Sequence, residues 1–136
     1  MADSTLVDLH TRTCDIHAGF VKMVEKADPE FYPVAQRFHD LHHQQMNRLE
    51  EMVRLQGDTP QGGSLMSSLQ EAVITLRSWF DDIDDDVMDQ VRWGEKQVLA
   101  DFDAAIRDPR NSALQAELGI MKGELTTLLT ETSHLD

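Results

Sequence analysis

The stretch FYPVAQRFHDLHHQQMNRLEEMVRLQ, residues 31–56, decides the fold. At about 100° per residue it reads as one long amphipathic helix, with Phe31, Val34, Ala35, Phe38, Leu49, Met52 and Val53 on one face. Its middle interrupts that face with a polar run, His39-Asp40-Leu41-His42-His43-Gln44-Gln45-Met46, which holds three of the chain's six histidines. His42 and Gln45 fall within the apolar face, His39 at its edge and His43 outside it. Any chemistry the chain carries is expected to involve this run.

Working outward, proline and glycine are concentrated between periodic segments, as in a helical protein. No hairpin dipeptide lies between alternating runs, so strands are not expected. A first helix is predicted from about Ser4 to Lys26, with Leu6, Leu9, Thr13, Phe20 and Val24 as its stripe and His17 near the middle of it. Asp28 and Pro29 suit the cap and first position of the second helix, and Gly57 suits its end. Beyond the turn-rich loop 58–63, Ser64 can cap a shorter third helix bearing Leu65, Leu69, Ala72, Val73, Leu76 and Phe80. A fourth helix, from about Asp84 to Arg107, turns Val87, Val91, Val98, Phe102 and Ala105 inward, with Glu95 on the same face. After Asp108-Pro109-Arg110, Ser112 and Gln115 read as a capping box. The fifth helix then buries Leu114, Leu118, Met121, Leu125 and Leu129.

The turns between helices one and two and between four and five are short, which forces antiparallel neighbours. The segment from Gly57 to Ile83 is long enough to climb back along the molecule. The expected fold is therefore all-α: a ferritin-like, up-down-down-up four-helix bundle with an extra helix in the long crossover between bundle helices two and three. It forms a single domain over residues 1–136.

The chain has 25 acidic against 12 basic residues, a net charge of −13. That balance repels nucleic-acid phosphates and anionic lipid surfaces, so neither is an expected partner. Cys14 is the single cysteine and permits no intrachain disulfide. Met1 to Val7 lacks the basic and apolar regions of a signal peptide, and no apolar run reaches the length of a membrane span. A cytoplasmic location is expected. The run Asp81 to Asp86 lacks the glycine and terminal glutamate of an EF-hand loop and reads as helix N-terminal charge. No Cys-x-x-Cys or Cys-His-Asn pattern surrounds Cys14, although His17 stands three residues away. Gly119 and Gly123 lie off the core face of the last helix and suit close approach by the crossover helix or a second subunit. A homo-oligomer is expected, a dimer first.

At 1.5 Å per residue the topology serves as a ruler. His17 lies roughly ten residues, or about 16 Å, below the turn at Asp28. His39 and His42 lie at similar depth on the returning helix, and Glu95 matches them if the crossover reaches the top near Asp84. Lys122 and Glu124 reach the same height from the other end. Such a polar layer has two readings. Its members can pair with one another and fix helix register. Alternatively His17, His42 and Glu95 can ligate a divalent ion, Zn, Fe or Mn, with His39 and Glu124 in support. Helix two carries His39-x-x-His42 where a dinuclear carboxylate site needs Glu-x-x-His, and helix one offers His17 in place of Glu, so a di-iron site is not expected.

The pattern from Leu6 to Phe20, with Cys14-Asp15 and Gly19-Phe20, resembles the first helix of a bacterial ferritin-like family of unknown function. Asp28-Pro29-Glu30 and Arg92-Trp93-Gly94-Glu95 resemble later elements of the same family, in the same order and spacing. The resemblance covers nearly the whole chain and implies a ferritin-like bundle with a crossover helix. It implies no established activity. That family often has a carboxylate or amide at the position of His17 and a histidine near Glu124. The reading that follows is a non-enzymatic, self-associating bundle with a stress or housekeeping role. The alternatives are a metal-binding or oxidoreductase-type bundle and a binder of a small molecule between the helices.

Overall fold

The computed structural model describes residues 4–60 and 87–135. The predicted helix from Ser64 to Phe80 and the aspartate run Asp81 to Asp86 lie outside the described residues. Four α-helices organise the rest: α1 (Thr5–Lys26), α2 (Tyr32–Leu55), α3 (Met88–Arg107) and α4 (Gln115–Glu131). Among the described residues there is no β-strand, and no helix is long and apolar enough to cross a membrane.

Local chemistry sets most of the helix ends. Ser4 Oγ accepts from Val7 N at 3.2 Å and caps α1, with Asp8 in the first turn and Lys26 in the last. Asp28 Oδ1 accepts from Phe31 N at 2.7 Å and closes the turn leading into α2, but the helix itself starts at Tyr32, its N-cap Phe31 makes no side-chain bond, and Pro33 rather than Pro29 lies in its first turn. At the far end Gly57 takes φ 82°, Gly57 N bonds Arg54 O at 3.0 Å and Asp58 N bonds Val53 O at 3.1 Å. This pair of bonds is a Schellman ending, and it needs the left-handed backbone that glycine adopts without a Cβ penalty.

The capping box expected at Ser112 and Gln115 does not form. A 3-10 segment, Pro109–Leu114, precedes α4, and Ser112 sits exposed within it. Asp108 supplies the cap instead, accepting from Arg110 N at 3.0 Å, while Gln115 reaches back to Ile106 O at 2.8 Å. Asp108 Oδ2 also accepts from Thr5 Oγ1 at 2.7 Å. The Thr5 hydroxyl, and then the backbone N–H of Arg110, hold the Asp108 carboxyl below its ordinary value. Buried Asn111 completes this polar knot. Its amide donates to Ala105 O at 2.8 Å and to Thr5 Oγ1 at 3.2 Å, and its carbonyl accepts from Gln56 Nε2 at 2.7 Å. One end of the molecule is thereby tied together from α1, α2 and the α3–α4 connection.

The buried positions follow a seam of alternating three- and four-residue steps: Ala35, Phe38, His42, Gln45, Leu49 and Met52 in α2, and Met88, Val91, Glu95, Val98, Phe102 and Ala105 in α3. Leu118, Met121, Leu125 and Leu128 continue it in α4. All four helices contribute to one apolar cluster that includes Leu6, Leu9, Leu49, Phe102 and Leu118. A second cluster includes Phe20, Phe31, Phe38, Val91 and Leu128. Along α1 and α4 the chain passes from the first cluster to the second, and along α2 and α3 it passes from the second to the first. The helices therefore run up, down, down, up. The expected stripes hold except in detail: Met23 and Leu128 are buried where Val24 and Leu129 are partly buried, and His10 is buried as well.

A buried histidine–glutamate pair and a neighbouring histidine cluster

Between the two apolar clusters the seam positions of α2 and α3 are polar. His42 Nε2 lies 2.7 Å from Glu95 Oε2, and neither side chain is exposed to solvent. The Phe20 ring stacks on the imidazole at a centroid distance of 5.5 Å, and Phe38 stacks on Phe20 in turn. His42 Nδ1 and Glu95 Oε1 have no hydrogen-bond partner. One level on, Gln45 donates to Met121 O at 2.9 Å and to Glu124 at 3.2 Å, linking α2 to α4.

His17 shares this height but faces a different group. Its ring lies 4.9 Å from His39 and 5.3 Å from His43, centroid to centroid, and its Nε2 is buried without a partner. His39 and His43 are parallel and 6.1 Å apart. Burial first, and then positive charge on His39, His43 and His42, pushes the His17 pKa down to about 4. His39 Nδ1 is 3.0 Å from Asp40 Oδ1, which also accepts from Gln36 Nε2 at 2.7 Å. These two bonds, His39 first, hold the Asp40 carboxyl below its ordinary value.

Of the five residues singled out in the sequence, His42 and Glu95 meet, and His17 meets His39. Glu124 stands apart from both pairs, against Gln45 and Arg48. Lys122, a candidate partner for Glu95, pairs with Asp103 at 2.5 Å. A Glu-x-x-His pattern does occur, at Glu131 and His134, but Glu131 pairs with Arg37 and exposed His134 lies past the end of α4. Among the described residues no three His, Cys, Asp or Glu side chains are disposed, as they stand, to hold a metal ion.

Two features escaped the sequence reading. His43 was placed off the core face, yet its spacing of four from His39 puts both rings on one strip of α2, which α1 covers through His17. Cys14 contacts His10 Nε2 at 3.5 Å, one turn back, rather than His17. Burial lowers the His10 pKa, opposed by Glu50 and aided by Arg54. Arg92, of the Arg92-Trp93-Gly94-Glu95 element, donates to Thr132 O at 3.2 Å and to Leu135 O. A cation is thus fixed at the C-terminal end of α4, where the helix dipole favours it.

Two expectations follow from this geometry. Removing one member of the buried pair, by His42→Ala or Glu95→Ala, should cost about 3–5 kcal/mol, because the survivor loses its partner in an apolar site. The double variant His42→Ala/Glu95→Ala should lose less than the two single losses combined, as read by urea unfolding of all the variants. The second concerns acid. Imidazoles whose folded-state pKa is depressed contribute full stability above the unfolded value near 6.5, and that contribution is lost as pH falls. The unfolding midpoint should therefore fall between pH 7 and about 4, the value reached by His17, and His17→Gln should flatten that slope.

Comparison with known proteins places this chain in a family. The family described as Domain of unknown function (DUF2383) matches residues 1–108, which include α1, α2, α3 and both members of the buried pair. Neither the curated proteins nor the solved structures gave a match. Since the match spans well over half of the chain, the protein belongs to the DUF2383 family, a domain of unknown function.

Proposed function

We propose that the protein is a ferritin-like, non-catalytic helical bundle that works as a homodimer, its core pair serving architecture. The up, down, down, up order supports the ferritin-like reading, because a parallel α2 and α3 is what one long crossover produces. The observation that carries the architectural role is the closure of His42 on Glu95 at 2.7 Å beneath the Phe20 ring. Each α3 seam residue stands 53 positions after its α2 counterpart, and this pair is the polar step of that match. A slip that set Glu95 level with Phe38 would put a carboxylate against an apolar layer.

The dimer is supported by the outer face of α4. Ile120 is 61% exposed there, and a Cβ added at Gly119 or Gly123 would meet nothing within 4 Å. That leaves room for a second helix to approach α4 closely, although at Gly123 the surface falls into a groove lined by Arg37, Asp40, Glu124 and Glu131. Light scattering over a range of concentrations should give twice the 15.5 kDa chain mass, and Ile120→Arg should return the protein to monomer. A concentration-independent monomer in the unmodified protein defeats this reading.

One observation favours a second reading, a metal-binding or oxidoreductase-type bundle. His17 Nε2, His42 Nδ1 and Glu95 Oε1 are each buried without a partner, and these are the residues expected to hold Zn, Fe or Mn. In that reading His39 and Glu124 support the ligands. A dinuclear carboxylate centre does not fit this donor set, since α1 brings imidazole to the layer and α2 brings no Glu-x-x-His. Metal analysis of untagged protein tests it: about one equivalent, lost in Glu95→Gln, is expected if the core binds the ion. Retention of the metal in Glu95→Gln counts against a core site.

A further inference from the structure

We propose that His17, His39 and His43 form a tris-imidazole site for a divalent transition-metal ion, Zn²⁺ in the first place, on the solvent side of the α1–α2 interface. The three ring centroids are 4.9, 5.3 and 6.1 Å apart. Three imidazoles bound to one tetrahedral ion, with Zn–N bonds of 2.0–2.1 Å, hold their centroids about 5 Å apart. The two pairs that include His17 are at that spacing, whereas His39 and His43 stand parallel and about an ångström wider, so their side chains must turn for the three nitrogens to share an ion. His39 and His43 are one turn apart on α2, the spacing at which two histidines on one helix chelate an ion. His17 closes the third side from α1, and its Nε2 is buried with no protein group to satisfy it.

The surroundings agree with ligation. Ionised Asp40 can only accept, so its 3.0 Å contact puts the His39 proton on Nδ1 and leaves Nε2 free. A carboxylate behind a ligating histidine is the usual means of fixing its tautomer and orientation. Gln36 in turn steadies Asp40. His39 is half-buried and His43 exposed, so an ion can enter from water and keep a water molecule in the fourth position. The net charge of −13 draws cations toward the molecule.

This site takes His17 away from the core pair, so the two metal readings are separable. Metal-free, untagged full-length protein is titrated with Zn²⁺ by calorimetry, and with Co²⁺ to read ligand geometry from its visible spectrum. One equivalent of Zn²⁺ is expected. His43→Ala changes an exposed side chain, should retain the wild-type circular dichroism, and should abolish tight binding. Asp40→Asn should weaken binding by roughly 10-fold. Glu95→Gln should bind as the wild type does. No uptake by the wild-type protein, undiminished uptake by His43→Ala, or loss confined to Glu95→Gln would each overturn the proposal, the last in favour of the core site.

Discussion

The contact between His42 and Glu95 is the constraint on which the rest of the structure depends. A carboxylate and an imidazole with no exposed surface are tolerable in an apolar seam only when they face each other. That requirement sets α2 and α3 level, and because both helices follow the same alternation of steps, one match aligns every other layer. Phe20 brings α1 to the same height by stacking on the imidazole. Gln45 does the equivalent for α4 through the carbonyl of Met121. Each of the three partner helices is thus referred to one turn of α2.

How far this was legible in the sequence depends on the range of the interaction. Chain ends and turns written in local bonds, through the side chains of Ser4 and Asp28 and the left-handed backbone of Gly57, are readable because the partners lie within a few residues. The common height of His42 and Glu95 was readable too, since rise per residue is constant and the turn at Asp28 supplies an origin. Ser112 and Gln115 misled because a capping pattern competes with its neighbours. Asp108, tied at once to Thr5 and Arg110, takes the cap and draws the chain into a 3-10 segment first. Asn111 gave no signal at all, since its partners come from three separate elements.

The histidines show the same limit within a single helix. Angular position alone put His43 outside the buried face, and it is exposed. What angle cannot express is that α1 crosses the rim of that face and lays His17 against it. Glu124 failed in the opposite way. Its height was correct to about a turn, but it lies on the flank of α4, where Arg48 and Gln45 claim it. Height along a bundle is written in the chain, whereas rotation about each axis is decided by packing.

The division of the interior into two oily compartments by a polar floor bears on how substitutions combine. The two compartments have no fully buried member in common, and the side chains that pack against both, Ile16, Leu41 and Leu129, are only partly buried. Substitutions far apart and without common neighbours combine additively. One compartment can therefore be repacked with little effect on the other, except through the three side chains on their shared margin.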